Sequence, residues 1–274
     1  MRCYEKYFSA LVLAGLLFSQ DVQALTMEPP LPSSCKEAKI ALDPQAKVSL
    51  YTRCLDGDDQ FGIRLEAYQR DEMHFNRANA LFELRRYAEA LVDYNLFIAN
   101  QHGGHVWALH QRGLTHQAMG QRQLAAADFN QALEFNSGAV WVRFDRGQLF
   151  AEMGLYQPAI EDLHMAATSS PENAVYANAL AWLLATCTDA KIHDGKEAVS
   201  FALKAVSIDR NAQSLDTLAA AQARKGDFKQ AVETQQAALD LLRKNKALLE
   251  TIKEFTTRLS LYTAAKPYTQ HRSE

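Results

Sequence analysis

Residues 146–163 read RGQLFAEMGLYQPAIEDL, and their apolar positions recur at the three-and-four spacing that gathers one face of an α-helix. The polar positions between them fall on the opposite side. Yet the stretch holds Gly147, Gly154 and Pro158. A glycine inside a helix costs roughly 1 kcal/mol relative to alanine, and an interior proline about 3. These three residues therefore mark special places: two helices broken near Gly154, with Pro158 in the first turn of the second, where a missing N–H costs little. Gly154 suits the left-handed position that ends a helix. Gly147, well inside the first helix, suits a crossing where no side chain fits between two backbones.

The same pattern stands 34 residues earlier. Gly147 matches Gly113, Gly154 matches Gly120, Ala159 matches Ala125, Ala166 matches Ala132, Trp141 matches Trp107 and Arg146 matches Arg112. A further step of 35 residues aligns Ala78, Tyr87, Ala90 and Tyr94, the additional residue falling in His102-Gly103-Gly104. A looser copy begins at Ala181 and resumes at Ala198 after TDAKIHDG. The last, LDTLAAAQARKGDFKQAVETQQAAL, carries Ala219, Gly226, Phe228, Ala231 and Ala238. Each copy is a helical hairpin that cannot bury its apolar face alone, so stacking must complete the core.

A period of 34 residues with these small, glycine and aromatic positions resembles the tetratricopeptide repeat, or TPR. The resemblance covers residues 71–245 and implies an all-α, right-handed α-solenoid of stacked TPR hairpins closed by a C-terminal capping helix. It departs from the family pattern at Arg122, which stands for a turn aromatic, at Phe97, which stands for a small residue, and at the interrupted fourth copy. In TPR proteins the first helices line a concave groove that holds peptide segments. Matching positions place Phe75, Asn76, Asn79, Trp107, His110, Gln111, Leu114, Trp141, Phe144, Asp145, Gln148, Asn178 and Trp182 on or near that groove. The family's clamp for chaperone C-termini needs lysines where this chain has Phe75 and Trp141, so that activity is not supported. The aromatics have a second reading, as packing between helices.

The copies also compare themselves. Arg77, Arg112 and Arg146 each precede the small crossing residue, and Asp93, Asp128 and Asp162 each follow sixteen residues later. The fourth and fifth copies lose both, holding Leu180 and Leu218 at the arginine site and Phe201 and Thr234 at the aspartate site. Partners that come and go together point to an ion pair inside each hairpin rather than to an anion-binding ladder.

The ends carry separate signals. Residues 1–24 have Arg2 and Lys6, an apolar run over residues 8–18 and small residues at Val22 and Ala24, the form of a secretory signal cleaved after Ala24. That run is well short of the roughly 20 residues that span a bilayer, although an uncleaved anchor is the other reading. Export places the remaining cysteines in an oxidising compartment. Two helices meeting at Asp43-Pro44 bring Cys35 and Cys54 to similar heights in residues 25–62, so a disulfide is expected rather than two free thiols, with Cys187 a small core residue. Residues 63–245 form about five repeats, with an insertion at residues 188–195. Over residues 246–264, Leu248, Ile252, Phe255, Leu259 and Tyr262 make the narrow stripe of a capping helix or of a helix that binds a partner. Residues 265–274 read as a flexible tail.

Composition changes this picture little. The chain has 274 residues, a formal net charge of −3, 48% hydrophobic and 22% charged residues. That balance lacks the basic stripe that nucleic acid demands. Phosphate-loop, CxxC, HExxH and nucleophile-elbow patterns do not occur. His102, His105 and His110 would need further ligands placed by the fold to hold a metal, and no cofactor is expected. The expected protein is a non-enzymatic interaction scaffold or adaptor of the bacterial periplasm or envelope, binding a protein or peptide. The alternatives are a structural or self-associating subunit and an unrecognised enzyme.

Overall fold

The computed structural model describes residues 30–57, 62–100, 105–245 and 248–270. The expected signal segment and His102 lie outside these residues. The described residues form thirteen helices and no strand. They fall into two compact units, one ending at Phe97 and one beginning at Ile98.

In the first unit, α1 (Ser33–Ile40) and α2 (Pro44–Leu55) make a hairpin. Asp43 caps α2 by accepting the Ala46 N–H at 2.7 Å, with Pro44 at the first helical position. A disulfide joins Cys35 and Cys54, whose Cα atoms are 5.1 Å apart, and both cysteines are buried with Ala38, Tyr51 and Met73. The spacing extends the first helix to Leu42, but α1 ends at Ile40, because Ala41 turns to extended backbone and leaves Leu42 in solvent. Next come α3 (Ala67–Glu83) and α4 (Tyr87–Asn100), with Ala78, Ala90 and Tyr94 fully buried in the shared core. Arg85, in the turn between them, has φ 58°.

The second unit holds four hairpins: α5 (Val106–Ala118) with α6 (Arg122–Phe135), α7 (Val140–Met153) with α8 (Tyr156–Ser169), α9 (Ala174–Thr186) with α10 (Gly195–Ile208), and α11 (Ala212–Lys225) with α12 (Phe228–Lys244). Close approach explains the helical glycines. A Cβ on Gly113 would fall 2.6 Å from the Phe129 ring, and one on Gly147 would fall 3.0 Å from Leu163 Cγ and 3.2 Å from the Ala159 carbonyl. Gly120, Gly154 and Gly226 end first helices at φ 74°, 73° and 98°, where a side chain is strained.

The interruption in the fourth copy is an ordered turn. Asp194 caps α10 by accepting the Lys196 and Glu197 N–H groups at 3.0 and 2.9 Å, and the His193 Nε2–H donates to the Cys187 carbonyl at 2.6 Å. Cys187, the one free cysteine among the described residues, is buried, and burial pushes its thiol pKa up. The last helix, α13 (Leu249–Thr263), lays Phe255, Arg258 and Tyr262 against α11 and α12. Leu248 departs from the expected stripe: it precedes the helix and is 78% exposed.

Candidate functional site

Each of the three sequence-matched arginines reaches the aspartate of its own hairpin. The Arg77 guanidinium donates to Asp93 at 2.7 and 2.8 Å, Arg112 Nε donates to Asp128 at 2.9 Å, and Arg146 donates to Asp162 at 2.7 and 2.8 Å. The aspartates are buried and the arginines half-buried. A spare N–H reaches the preceding hairpin: Arg77 Nη1 to Thr52 Oγ1 at 3.2 Å, and Arg146 Nη1 to Asn130 Oδ1 at 2.8 Å. These guanidinium groups are spent on holding hairpins in register, which leaves little for a row of bound anions. Burial works against the Asp93 carboxylate. The hydrogen bonds from Arg77 and His74 outweigh it and hold its pKa below the ordinary aspartate value.

The predicted groove residues do not behave alike. In the first unit, Phe75 packs on Tyr94 and Phe97, and Asn79 accepts the Tyr94 hydroxyl proton at 2.7 Å. Both serve the packing of α3 on α4, and Asn76 is half-buried beside them on α3. Phe97, the departure from the family pattern, fills the space beside Phe75 that a small residue would leave.

In the second unit, equivalent positions of α5, α7 and α9 form rows because the repeat sets them one hairpin apart. The outermost row is Trp107, Trp141 and Val175. Trp107 is 54% exposed and Val175 61% exposed. The Trp107 and Trp141 rings stack at 4.7 Å with their planes 15° apart, so the lower ring is covered by the upper. The Trp141 indole N–H is buried and has no hydrogen-bond partner among the described residues. The next row is His110, Phe144 and Asn178. His110 is buried, and its Nε2–H donates to Asp145 at 2.6 Å while its Nδ1 stays buried and unpartnered. Phe144 lies on Tyr176 at 4.6 Å, and Asn178 Oδ1 is likewise buried without a partner. Gln111 and Leu114 are half-buried, and Gln148 is exposed. His110 and Asp145 thus hold neighbouring first helices together, while the open surface is the tryptophan row with Gln148.

Trp182 belongs to the same face but is covered. Its Nε1–H donates to Gln270 Oε1 at 2.6 Å, and its ring lies 5.9 Å from that of Tyr268. The expectation of a loose tail is therefore corrected for residues 265–270: they are held by hydrogen bonds to α9 and α11, including the Gln270 N–H to the Thr186 carbonyl at 2.8 Å.

Three polar groups that matter escaped the repeat comparison. Asp216 on α11 is buried, accepting from Arg258 Nε at 2.8 Å and Gln235 Nε2 at 2.7 Å. Burial raises the Asp216 pKa, and the charge of Arg258 opposes that. Arg258 itself stands over the Phe255 ring at 4.7 Å. A charged residue set three after Phe255 and four before Tyr262, inside the apolar stripe, was the available signal. Arg224, whose Nε–H donates to the Ala185 carbonyl at 2.6 Å, gave none.

Among the described residues, no helix is long and apolar enough to cross a membrane, and no group of three or more His, Cys, Asp or Glu gathers to hold a metal.

The geometry defines a class: an all-α protein of stacked helical hairpins with the tetratricopeptide-repeat fold. Residues 108–138 match the family described as Tetratricopeptide repeat, so the α5–α6 hairpin is such a repeat. Among solved structures, the chain is similar to residues 41 to the end of MamA from Desulfovibrio magneticus RS-1, at 19% identity and a TM-score of 0.57, over 64% of this chain and 96% of that one. It is similar to a tetratricopeptide repeat protein from Parabacteroides merdae at 21% identity and a TM-score of 0.52, over 80% and 78% of the two chains. YrrB, described as a TPR protein with an unusual peptide-binding site, aligns at 17% identity and a TM-score of 0.55, over 70% of this chain and 91% of that one. No curated protein matches the chain. A scaffold fold of this kind supports a role in protein–protein interaction.

Proposed function

We propose that the chain is an exported, non-enzymatic interaction scaffold that binds an extended peptide segment of a partner protein on the α5–α7–α9 face. The observation that carries the reading is the Trp107–Trp141 stack, with a half-exposed ring above and a buried, unpartnered indole N–H below. Large rigid aromatics are the residues most often found carrying interface energy. The similarity to YrrB, a TPR protein with a peptide-binding site, is consistent with this reading. Export to the periplasm or envelope is supported by the leader-like residues 1–24 and by the Cys35–Cys54 bridge, which persists in oxidising compartments.

Crosslinking in the native envelope, followed by mass spectrometry, identifies the partner. Trp107→Ala is expected to fold normally, because its ring is half in solvent, and to lose that partner. A folded Trp107→Ala variant that captures the same partner with unchanged affinity overturns the face assignment. N-terminal sequencing of the mature chain is expected to begin at Leu25, and an intact Met1 on exported protein overturns the cleaved signal.

A further inference from the structure

After α13 the chain turns at Ala265, where φ is 54°, and residues 266–270, in no helix or strand, lie across the ends of α9 and α11. The contacts are those of a bound peptide. Gln270 N–H donates to the Thr186 carbonyl at 2.8 Å, and Trp182 Nε1–H donates to Gln270 Oε1 at 2.6 Å. Arg224 Nη2 donates to the Tyr268 carbonyl at 2.9 Å and to Thr269 Oγ1 at 3.1 Å. The Tyr268 ring lies 5.9 Å from that of Trp182, and the Arg258 guanidinium stands over it at 5.4 Å.

The receiving groups are fixed by contacts of their own. Arg224 Nε donates to the Ala185 carbonyl at 2.6 Å, the Thr186 hydroxyl donates to the Trp182 carbonyl at 2.8 Å, and Arg258 stands over the Trp182 ring at 5.6 Å while bonded to Asp216. Lifting the strap leaves them in place. The strap is lightly held in return: Tyr268 and Thr269 are half-buried, and Lys266, Pro267 and Gln270 are exposed. Trp182 also occupies the first-helix row that continues from Leu114 and Gln148, of which Gln148 lies exposed.

We propose that Trp182, Thr186 and Arg224 form a second docking strip for an extended peptide, and that residues 266–270 are its resident, displaceable occupant. The charge at Arg224 indicates what displaces it. Arg224 meets only neutral oxygens in these contacts, and burial lowers its pKa from the ordinary guanidinium value. The strap puts a threonine where a carboxylate would pair with that cation. The partner segment therefore carries an aromatic residue, then Asp or Glu, then a side-chain amide. An ion pair formed in this partly desolvated place is stronger than the hydroxyl contact that it replaces.

The test uses the full chain with the strap released by Tyr268→Ala and Gln270→Pro, the second change removing the N–H that reaches Thr186. The probes are fluorescent peptides of the sequence of residues 264–274, with and without Thr269→Glu. Removing the tethered competitor is expected to tighten binding of the glutamate peptide by about tenfold or more, because an attached segment competes at high effective concentration. Adding Arg224→Gln or Trp182→Ala to the released chain is expected to abolish that gain, while adding Trp107→Ala leaves it unchanged, which separates this strip from the face proposed above. A released chain that binds neither peptide, or binds them indifferently to Arg224→Gln, overturns the proposal. Hydrogen exchange on the wild-type chain decides the matter independently of any variant's folding. Gln270 exchanging much faster than the amides of α9 and α11 supports a displaceable strap, and equal protection overturns it.

Discussion

Arg85 stands where Gly120 stands one repeat later, and both end a first helix with positive φ, 58° and 74°. For a residue with a Cβ the left-handed conformation costs roughly 1–2 kcal/mol, and glycine escapes most of it. Arg85→Gly is therefore expected to stabilise the chain by about 1 kcal/mol, the larger unfolded-state entropy of glycine taking back part of the gain. A raised urea midpoint checks it, and an unchanged or lowered one contradicts it. Asp93 carries a second prediction. Folding lowers its pKa, so the folded chain binds fewer protons there. The stability this group contributes is complete above the unfolded-chain value of about 3.9 and drains away as pH falls through the lower folded value. The stability gap between the wild-type chain and Asp93→Asn should thus be widest at neutral pH and shrink below about pH 4. Urea titrations at several pH values measure it, and a gap that grows on acidification excludes the ion pair as its source.

At the scale of helices, what matters is how closely two axes approach and what closes the last hairpin. Gly147 lies against Leu163, Ala159 and Asp162 of its partner helix, with room for nothing more. Gly147→Leu is expected to cost about 1–3 kcal/mol by overpacking, read from a melting curve. The closing helix rests on the buried Arg258–Asp216 pair. Arg258→Leu leaves an uncompensated buried carboxylate and is expected to cost about 3–5 kcal/mol, part of it recovered when Asp216→Asn is added. Simple additivity of the two changes would show that the pair is not coupled. The same features explain what the sequence made legible. Crossing glycines, left-handed glycines and the Arg–Asp pairs recur because each hairpin solves the same steric and electrostatic problem, and a period exposes them. Arg258 lies outside that period, on the closing helix, and Asp216, though inside the last copy, takes that arginine as partner rather than one from its own hairpin. The strap was invisible for another reason: part of its hold comes from main-chain groups, which leave no pattern of residue types, and the side chains that add to it, Tyr268, Thr269 and Gln270, belong to no repeat. Matching positions put Asn79 and His110 on or near the groove, but position alone does not reveal that they bond to Tyr94 and Asp145.

The described residues resolve into two compact units, and in repeat proteins stability accumulates from neighbours rather than from one global core. Reducing Cys35–Cys54 should therefore act locally. It is expected to weaken the α1–α2 hairpin by about 3 kcal/mol, the chain-entropy value for a loop of this size. Hydrogen exchange should then show lost protection in α1 and α2 while α9 and α11 keep theirs. Uniform loss throughout would mean that the units unfold as one. The tryptophan stack gives the molecule an optical identity as well. Two indole rings 4.7 Å apart and 15° from parallel share their electronic excitations, so the pair absorbs as a coupled chromophore. The third indole, Trp182, lies apart on α9 beneath Tyr268, donating its N–H to Gln270. An occupant sliding over Trp107 would disturb the coupled signal, and a lifted strap would shift the emission of Trp182. The unlabelled chain can thus report spectroscopically which of its two surfaces has been engaged.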